Sequence, residues 1–282
     1  MTLTALPEQS SMPDGGLLPS SAIIGKVGID QTTPGTTNAV QVLGSSSPSF
    51  VATASVIRPA NATPYAATPQ SINCKLTVTE VAYTGLVVTI KAAGHGFVAG
   101  DRFTLAGVNT GATLTNVDGN WVVTSADTDH IVFSVTSQPT GTTPQTGLTI
   151  TSAIAKCMSV DVGGIVGGGV LMSRVSVSLP GVAMTQAVRL YIYDVQPTVL
   201  VDQATFTIFN ANDTYRRTYI DLFPVTEGSG SDCNFATSET VRMLKCATAD
   251  TRLYFRLCSE GVGTPTSAGV VTVKVSGIQL MG

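Results

Sequence analysis

Between Ser173 and Pro224 apolar residues recur at every second position, and nowhere with a helical period. Val175, Val177 and Leu179 alternate with Ser176 and Ser178, and Val188, Leu190 and Ile192 alternate with Arg189, Tyr191 and Tyr193. Successive side chains of a strand point to opposite faces, so the pattern demands a sheet with one dry face and one wet face. A helix would scatter the same residues around its circumference. No catalytic motif decorates the stretch.

The wet side of such sheets is built from little ionic material. Charged residues make up 12% of the 282-residue chain, against a usual share of about 25%, so the polar surface must be hydroxyl and amide. A surface so poor in charge is one that partners are expected to cover. The formal net charge of -3 supplies no basic field, which excludes DNA and RNA binding. No run reaches the roughly 18 apolar residues of a membrane span. No Lys or Arg precedes Lys26, so a secretory n-region is missing and the protein is expected to stay in the cytosol until it is used. The length fits two compact domains or one domain with an insertion.

In chain order, 1–48 carries Pro7, Pro13, Pro19, Pro34 and Pro48 with few large apolar residues, too little to offset its own ordering entropy. An extended N-terminal arm is expected, either a plain linker or a recognition strand. In the second reading the alternating pairs Val27/Ile29 and Val40/Val42 are the candidate assembly contacts, adding to the sheet edge of another subunit. From Phe50 to Arg58 the chain reads as a strand, followed by a turn-rich run to Tyr65. The expected insertion, 75–151, contains Val87–Ile90, the turns around Gly96 and Gly100, Asp101 as a backbone acceptor, an Asp118-Gly119 hairpin turn, and His130–Val135. The main body, 49–74 and 152–282, resumes with Ile154–Val162 and continues through Val188–Asp194, Tyr219–Phe223, Thr240–Lys245, Leu253–Cys258 and Val270–Leu280. About eight strands at Greek-key spacing predict an all-β, jelly-roll-like β-sandwich.

Each candidate for chemistry has a plainer structural role. Gly163–Gly169 lacks G-x-G-x-x-G spacing and precedes a strand, so a bulged turn is expected rather than a phosphate cradle. Asn116, Asp118 and Asn120 echo a calcium loop, but Trp121 stands where that loop needs Gly. His95 and His130 are the available imidazoles and no G-x-S-x-G elbow accompanies them, so both are expected to be structural. Asp194, Asp202, Asp213 and Asp221 fall at turns and strand ends, where Asp bonds local backbone. Tyr191, Tyr193, Tyr215 and Tyr219 are the candidates for a sugar-binding face. The five cysteines (Cys74, Cys157, Cys233, Cys246, Cys258) are too scattered for zinc. Buried free thiols are expected, with one disulfide between Cys246 and Cys258 left open. No catalytic residue, cofactor or metal site is assigned.

Three patches resemble tailed-bacteriophage virion proteins. Gly25–Val40 is similar to a phrase that precedes a β domain there; Arg58, Pro59, Ala60, Asn61, Thr63, Tyr65 and Ala66 are similar to the end of the first sandwich strand; and Leu190–Thr198 with Asp202–Phe206 resembles the later Asp-x-x-Pro and Asp-Asn-Ala-x-Phe phrases of the same family. The Gly94–Val108 and Asp118–Val135 pattern looks like a small β-barrel module that recurs in phage tail and virion proteins. The resemblance implies a non-catalytic virion structural protein, made in the host cytoplasm, that decorates or cements the capsid against the major capsid protein or other virion proteins. A homotrimer would suit capsid three-fold points. The alternatives are a tail, baseplate or neck component, or a host-surface carbohydrate-binding module.

Overall fold

The computed structural model describes residues 49–280 apart from 61–62, 112–113, 142, 147–152, 163–165, 181–186, 209–213, 227–232 and 264–267, with 110–111, 145–146, 153, 180, 224–226 and 233–240 described by backbone alone. The arm 1–48, with Val27, Ile29, Val40 and Val42, lies outside the described residues, which all belong to the unit Ser47–Gly282. The strands are β1 (Ser49–Ile57), β2 (Gln70–Ile72), β3 (Leu76–Thr77), β4 (Glu80–Thr84), β5 (Val87–Lys91), β6 (Arg102–Ala106), β7 (Gly119–Ala126), β8 (His130–Ser134) and β9 (Gln145–Thr146). They continue as β10 (Ala153–Asp161), β11 (Gly169–Pro180), β12 (Val188–Tyr193), β13 (Arg216–Leu222), β14 (Pro224–Thr226), β15 (Cys233–Lys245), β16 (Arg252–Ser259) and β17 (Val270–Leu280). Among the described residues one helical turn, α1 (Val108–Gly111), interrupts them. The fold is all-β, as the alternation requires.

Two antiparallel sheets face each other across the main core. The first has the order β1-β17-β11-β15-β14; the second runs β13-β12-β16-β10, with β2 also paired to β16. Numbered along the chain without the insertion and the short β2 and β14, the first sheet holds strands one, eight, three and six and the second holds two, seven, four and five. Sequence neighbours therefore sit mostly in opposite sheets. The inner face of the first sheet is a grid of small apolar residues: Ala52, Val275 and Val175 form one cross-strand row, and Ala54, Val273 and Val177 the next. Leu190, Ile192, Phe255, Leu257 and Met158 of the second sheet lie in the same buried cluster.

The segment between β2 and β10 builds its own core from Val81, Val88, Ile90, Phe103, Leu105, Ile131 and Phe133. Ring contacts tie it together: Phe103 meets Phe133 edge-on at 5.2 Å, and Trp121 stacks on Phe133 at 5.6 Å. Strand β10 serves both parts. Its residues Ala153–Cys157 pair with β6, and Met158–Asp161 pair with β16. The entry to the segment is tied to its exit, because Asn73 Nδ2 donates to the Lys156 carbonyl at 3.0 Å and β3 pairs with Ala153 and Ile154. Hydrogen bonding of the segment thus continues past residue 151, the expected end of the insertion.

Candidate functional site

A buried polar network sits where β1 ends. Pro59 and the turn beyond it stop the strand, and Arg58, whose N–H donates to the Gly269 carbonyl, turns its side chain inward. Arg58 Nη2 lies 2.9 Å from Asp202 Oδ2, and Arg58 Nε donates to Tyr65 Oη at 2.8 Å. Tyr65 Oη in turn donates to Asp202 Oδ1 at 2.8 Å, and Asn73 N–H donates to the same oxygen at 3.0 Å. All three side chains are at least 97% buried. A buried charge pair stabilises only when its remaining lone pairs and protons are also met, and here Tyr65 and Asn73 meet them. Burial first, then the Asp202 carboxylate, pushes the Tyr65 phenol far above its usual range. With its phenol so raised, Tyr65 keeps its proton at neutral pH and serves the network as a donor to Asp202.

Asp202 belongs to the 195–208 connection, which lies across the outer face of the second sheet. Gln203 takes a left-handed backbone conformation, φ 62°, which turns the chain so that Gln203 N–H reaches the Ser71 carbonyl at 2.8 Å and Ser71 N–H reaches Ala204 at 2.9 Å. Beneath this roof Tyr191, Tyr193, Tyr254, Cys157 and Cys258 are buried with Val199. Phe206 stacks on Tyr191 at 4.9 Å, and the Arg256 guanidinium lies over Phe206 at 4.4 Å. The alternation in β12 predicted a wet face at Tyr191 and Tyr193, and the structure corrects this. The roof dries that face, so Tyr191 and Tyr193 are buried while Tyr215 and Tyr219 are exposed; the rings of Tyr191 and Tyr219 meet at 6.0 Å, but the four tyrosines do not share one accessible surface.

The outer face of the first sheet is open. Across β1, β17 and β11 it presents the rows Val51, Ser276, Arg174 and Thr53, Lys274, Ser176, with Ser55, Thr272 and Ser178 beyond. Val51, Arg174, Ser176, Lys274 and Ser276 line a groove of about 250 Å³. The position of Arg174 depends on a β-bulge: the register of β11 shifts between Met172 and Arg174 against both β15 and β17. Without the extra residue Arg174 would point into the core and Val175 out of it. Gly277 faces the bulge. A methyl group there would collide with the Leu171 carbonyl oxygen and sit 3.0 Å from Met172 Cα. Ser173 Oγ donates to the Ser276 carbonyl at 3.2 Å and closes the irregular step. The bulge is visible in the sequence as a phase change: the buried residues are even-numbered at Val170 and Met172 and odd-numbered from Val175. An alternation read from Val175 onward passes over it.

The other sequence candidates have local partners. His95 Nδ1 accepts from Phe97 N–H at 2.9 Å inside the inserted part, and His130, half-buried at the start of β8, lies 3.2 Å from the exposed Asp127. Asp118 does not make the expected hairpin turn. Its carboxylate accepts from Gly107, Val108 and Asn109 N–H at the start of α1, while Asn109 Oδ1 accepts from Val117 and Asp118 N–H. These bonds close the loop between β6 and β7. Asn116 donates to Gln138 and Asn120 accepts from Thr104, so Asn116, Asp118 and Asn120 do not converge on a shared point. Gly96 and Gly100 have φ 62° and 88°, as tight turns require, and Asp101 accepts from Val98 N–H and pairs with Lys156 at 2.7 Å. Asp194 pairs with Arg217, and Asp221 with Arg189 at 2.5 Å. Asp213 and Gly163–Ile165 lie outside the described residues. Cys246 and Cys258 are both buried free thiols, as are Cys74 and Cys157, so the disulfide left open by the sequence is not formed. No cluster of three or more metal-ligating side chains occurs among the described residues. The chain matches no family model, no curated protein and no solved structure.

Proposed function

We propose that this chain is a non-catalytic structural protein of a tailed-bacteriophage virion: a jelly-roll subunit with a small inserted β-barrel that decorates or cements the capsid. The observation that carries the reading is the meeting of two resemblance patches, 58–66 and 202–206, which lie more than a hundred residues apart in the chain and share one buried network on Asp202. Residues that match a family phrase for structural reasons should contact one another, and these do. The jelly-roll part is supported by the strand order, in which sequence neighbours alternate between sheets as two interleaved Greek keys require. The scarcity of charge fits a surface covered by neighbours. In this reading the major capsid protein or another virion protein is the partner, a homotrimer is the assembled form, and Val27, Ile29, Val40 and Val42 of the arm make the attachment.

The test is to band particles from cells producing the full chain in caesium chloride and to image them. The chain should co-band at a fixed ratio to the capsid protein and give density on the head. Density on the tail, baseplate or neck would replace the decorating role by that position. A chain found only in the soluble fraction, or one that hydrolyses polysaccharides with a rate lost in His95→Gln or His130→Gln, would overturn the reading.

A further inference from the structure

Among their described outward residues, β1, β17 and β11 carry two cations, Arg174 and Lys274, and no carboxylate. Arg174 and Lys274 are diagonal neighbours there, both exposed, and neither makes an ion pair with any described residue. The chain spends a double-sided register shift, with Gly277 opposite it, on bringing Arg174 to this face. Bulges commonly re-aim a side chain in this way. Around the two cations stand hydroxyls, Ser176 and Ser276, and then apolar side chains, with Val51 65% exposed and Ile278 and Val270 also exposed.

We propose that this groove docks a partner protein that presents paired carboxylates flanked by apolar residues. Arg174 would take one carboxylate in its planar fork, Lys274 would meet the other as a point charge, and the serine hydroxyls would supply further donors. A nucleic acid fits less well, because a phosphate backbone needs a stripe of cations and here the pair is bordered by valine and isoleucine. The inference does not rest on the virion reading, since it names a chemistry and not a particle. Glu239 stands at the register position opposite Arg174 on β15, so the test includes it.

Amide NMR of the full chain titrated with hexaglutamate should show shifts confined to 49–57, 171–178 and 270–278, lost on adding 0.5 M salt. This last figure is on the order of the ionic strength that screens exposed charges beyond a few ångströms. Arg174→Gln with Lys274→Gln should weaken the binding about tenfold or more, a loss expected for two charge-assisted contacts. Shifts elsewhere, or unchanged binding in the double variant, would overturn the proposal. So would tighter binding of a thymidine oligonucleotide than of hexaglutamate, or binding that appears only in Glu239→Gln, which would mean that the chain fills its own clamp. Sedimentation completes the test: salt-sensitive self-association abolished by the double variant would make a second copy the occupant and overturn the assignment to another protein.

Discussion

The outer face of the second sheet is roofed by residues 195–208 of the same chain, whereas the outer face of β1, β17 and β11 has no cover among the described residues. The inner faces are built alike, from alternating apolar residues that fill one core. Outside they differ in kind. Under the roof are Tyr191, Tyr193, Tyr254 and two thiols, side chains whose exposure would make a large apolar patch. On the other face are serines, threonines, Val51 and two cations, which water tolerates. The chain covers by itself the face that could not remain wet, and no described residue covers the one that can.

If the roof is fastened at Asp202, removing that carboxylate should have the largest effect in the molecule. Asp202→Ala removes the carboxylate that neutralises the buried Arg58 guanidinium and takes the acceptor away from the Tyr65 hydroxyl and Asn73 N–H. Breaking one side of a buried pair costs about 3–5 kcal/mol, while Tyr65→Phe, which keeps the pair, should cost about 1 kcal/mol. Urea unfolding followed by circular dichroism measures both. Equal, small losses would show that Arg58 finds other partners and that the fastening lies elsewhere.

The roof itself is probed at Phe206, which joins Tyr191 to Arg256. Phe206→Ala should cost about 2 kcal/mol, below the usual loss for a fully buried Phe because this ring is partly exposed. Its second signature is thiol access. Burial pushes Cys157 and Cys258 up to about 12, above the unfolded value near 8.5. The native state therefore holds these protons more tightly than the unfolded one. The associated stability is full below about pH 8.5 and is lost as pH rises toward 12, so stability should fall with alkaline pH. In Phe206→Ala that alkaline slope should flatten, and a disulfide reagent at pH 8 should label Cys157 and Cys258 at least about tenfold faster. Cys246, outside the roof, should label at the native rate. Uniform acceleration at all three would mean global destabilisation and no separate roof.

Much of this division was legible in the residues, and the part that was not has a physical reason. Val175, Val177 and Leu179 gave the inner face because burial of a sheet face writes a period of two into the sequence. Tyr191 and Tyr193 were read as wet because the same period says nothing about a distant loop folding back. The partners Arg58, Tyr65 and Asp202 were each marked by resemblance, but pairing over |i−j| of 144 is beyond any local pattern. Asp118 looked like a turn residue because Asp-Gly is a hairpin signal; its carboxylate instead found the free N–H groups of α1. The bulge left a trace, the change of phase between Met172 and Val175, and the cationic face follows from it.

That phase change predicts the next smaller effect. Gly277→Ala places a methyl group against the Leu171 carbonyl, and overpacking of this kind costs about 1–3 kcal/mol. Backbone must move to relieve it, so amide shifts should spread through 170–176 and 274–280 and hexaglutamate binding should fall with the loss of Arg174 from its place. Full stability and unchanged binding in Gly277→Ala would show that the bulge does not position the cation.

The smallest effect on stability should come from the cations themselves, and its smallness is what separates the two outer faces. Arg174 and Lys274 are exposed, lie diagonally across paired strands and make no described ion pair. Like charges in neighbouring positions on a sheet face repel, so neutralising both relieves rather than removes an interaction. Arg174→Gln with Lys274→Gln should change the unfolding free energy by no more than about 0.5 kcal/mol, the usual range for surface substitutions, with any change toward greater stability. The urea midpoint, at constant slope, decides it. A loss well above 1 kcal/mol would mean that the pair holds the sheet together as Asp202 holds the roof, and the bare face would then be a structural surface. An unchanged midpoint together with lost hexaglutamate binding would leave recognition as the remaining reason for a chain so sparing of charge to set two cations side by side, one of them turned outward by a bulge.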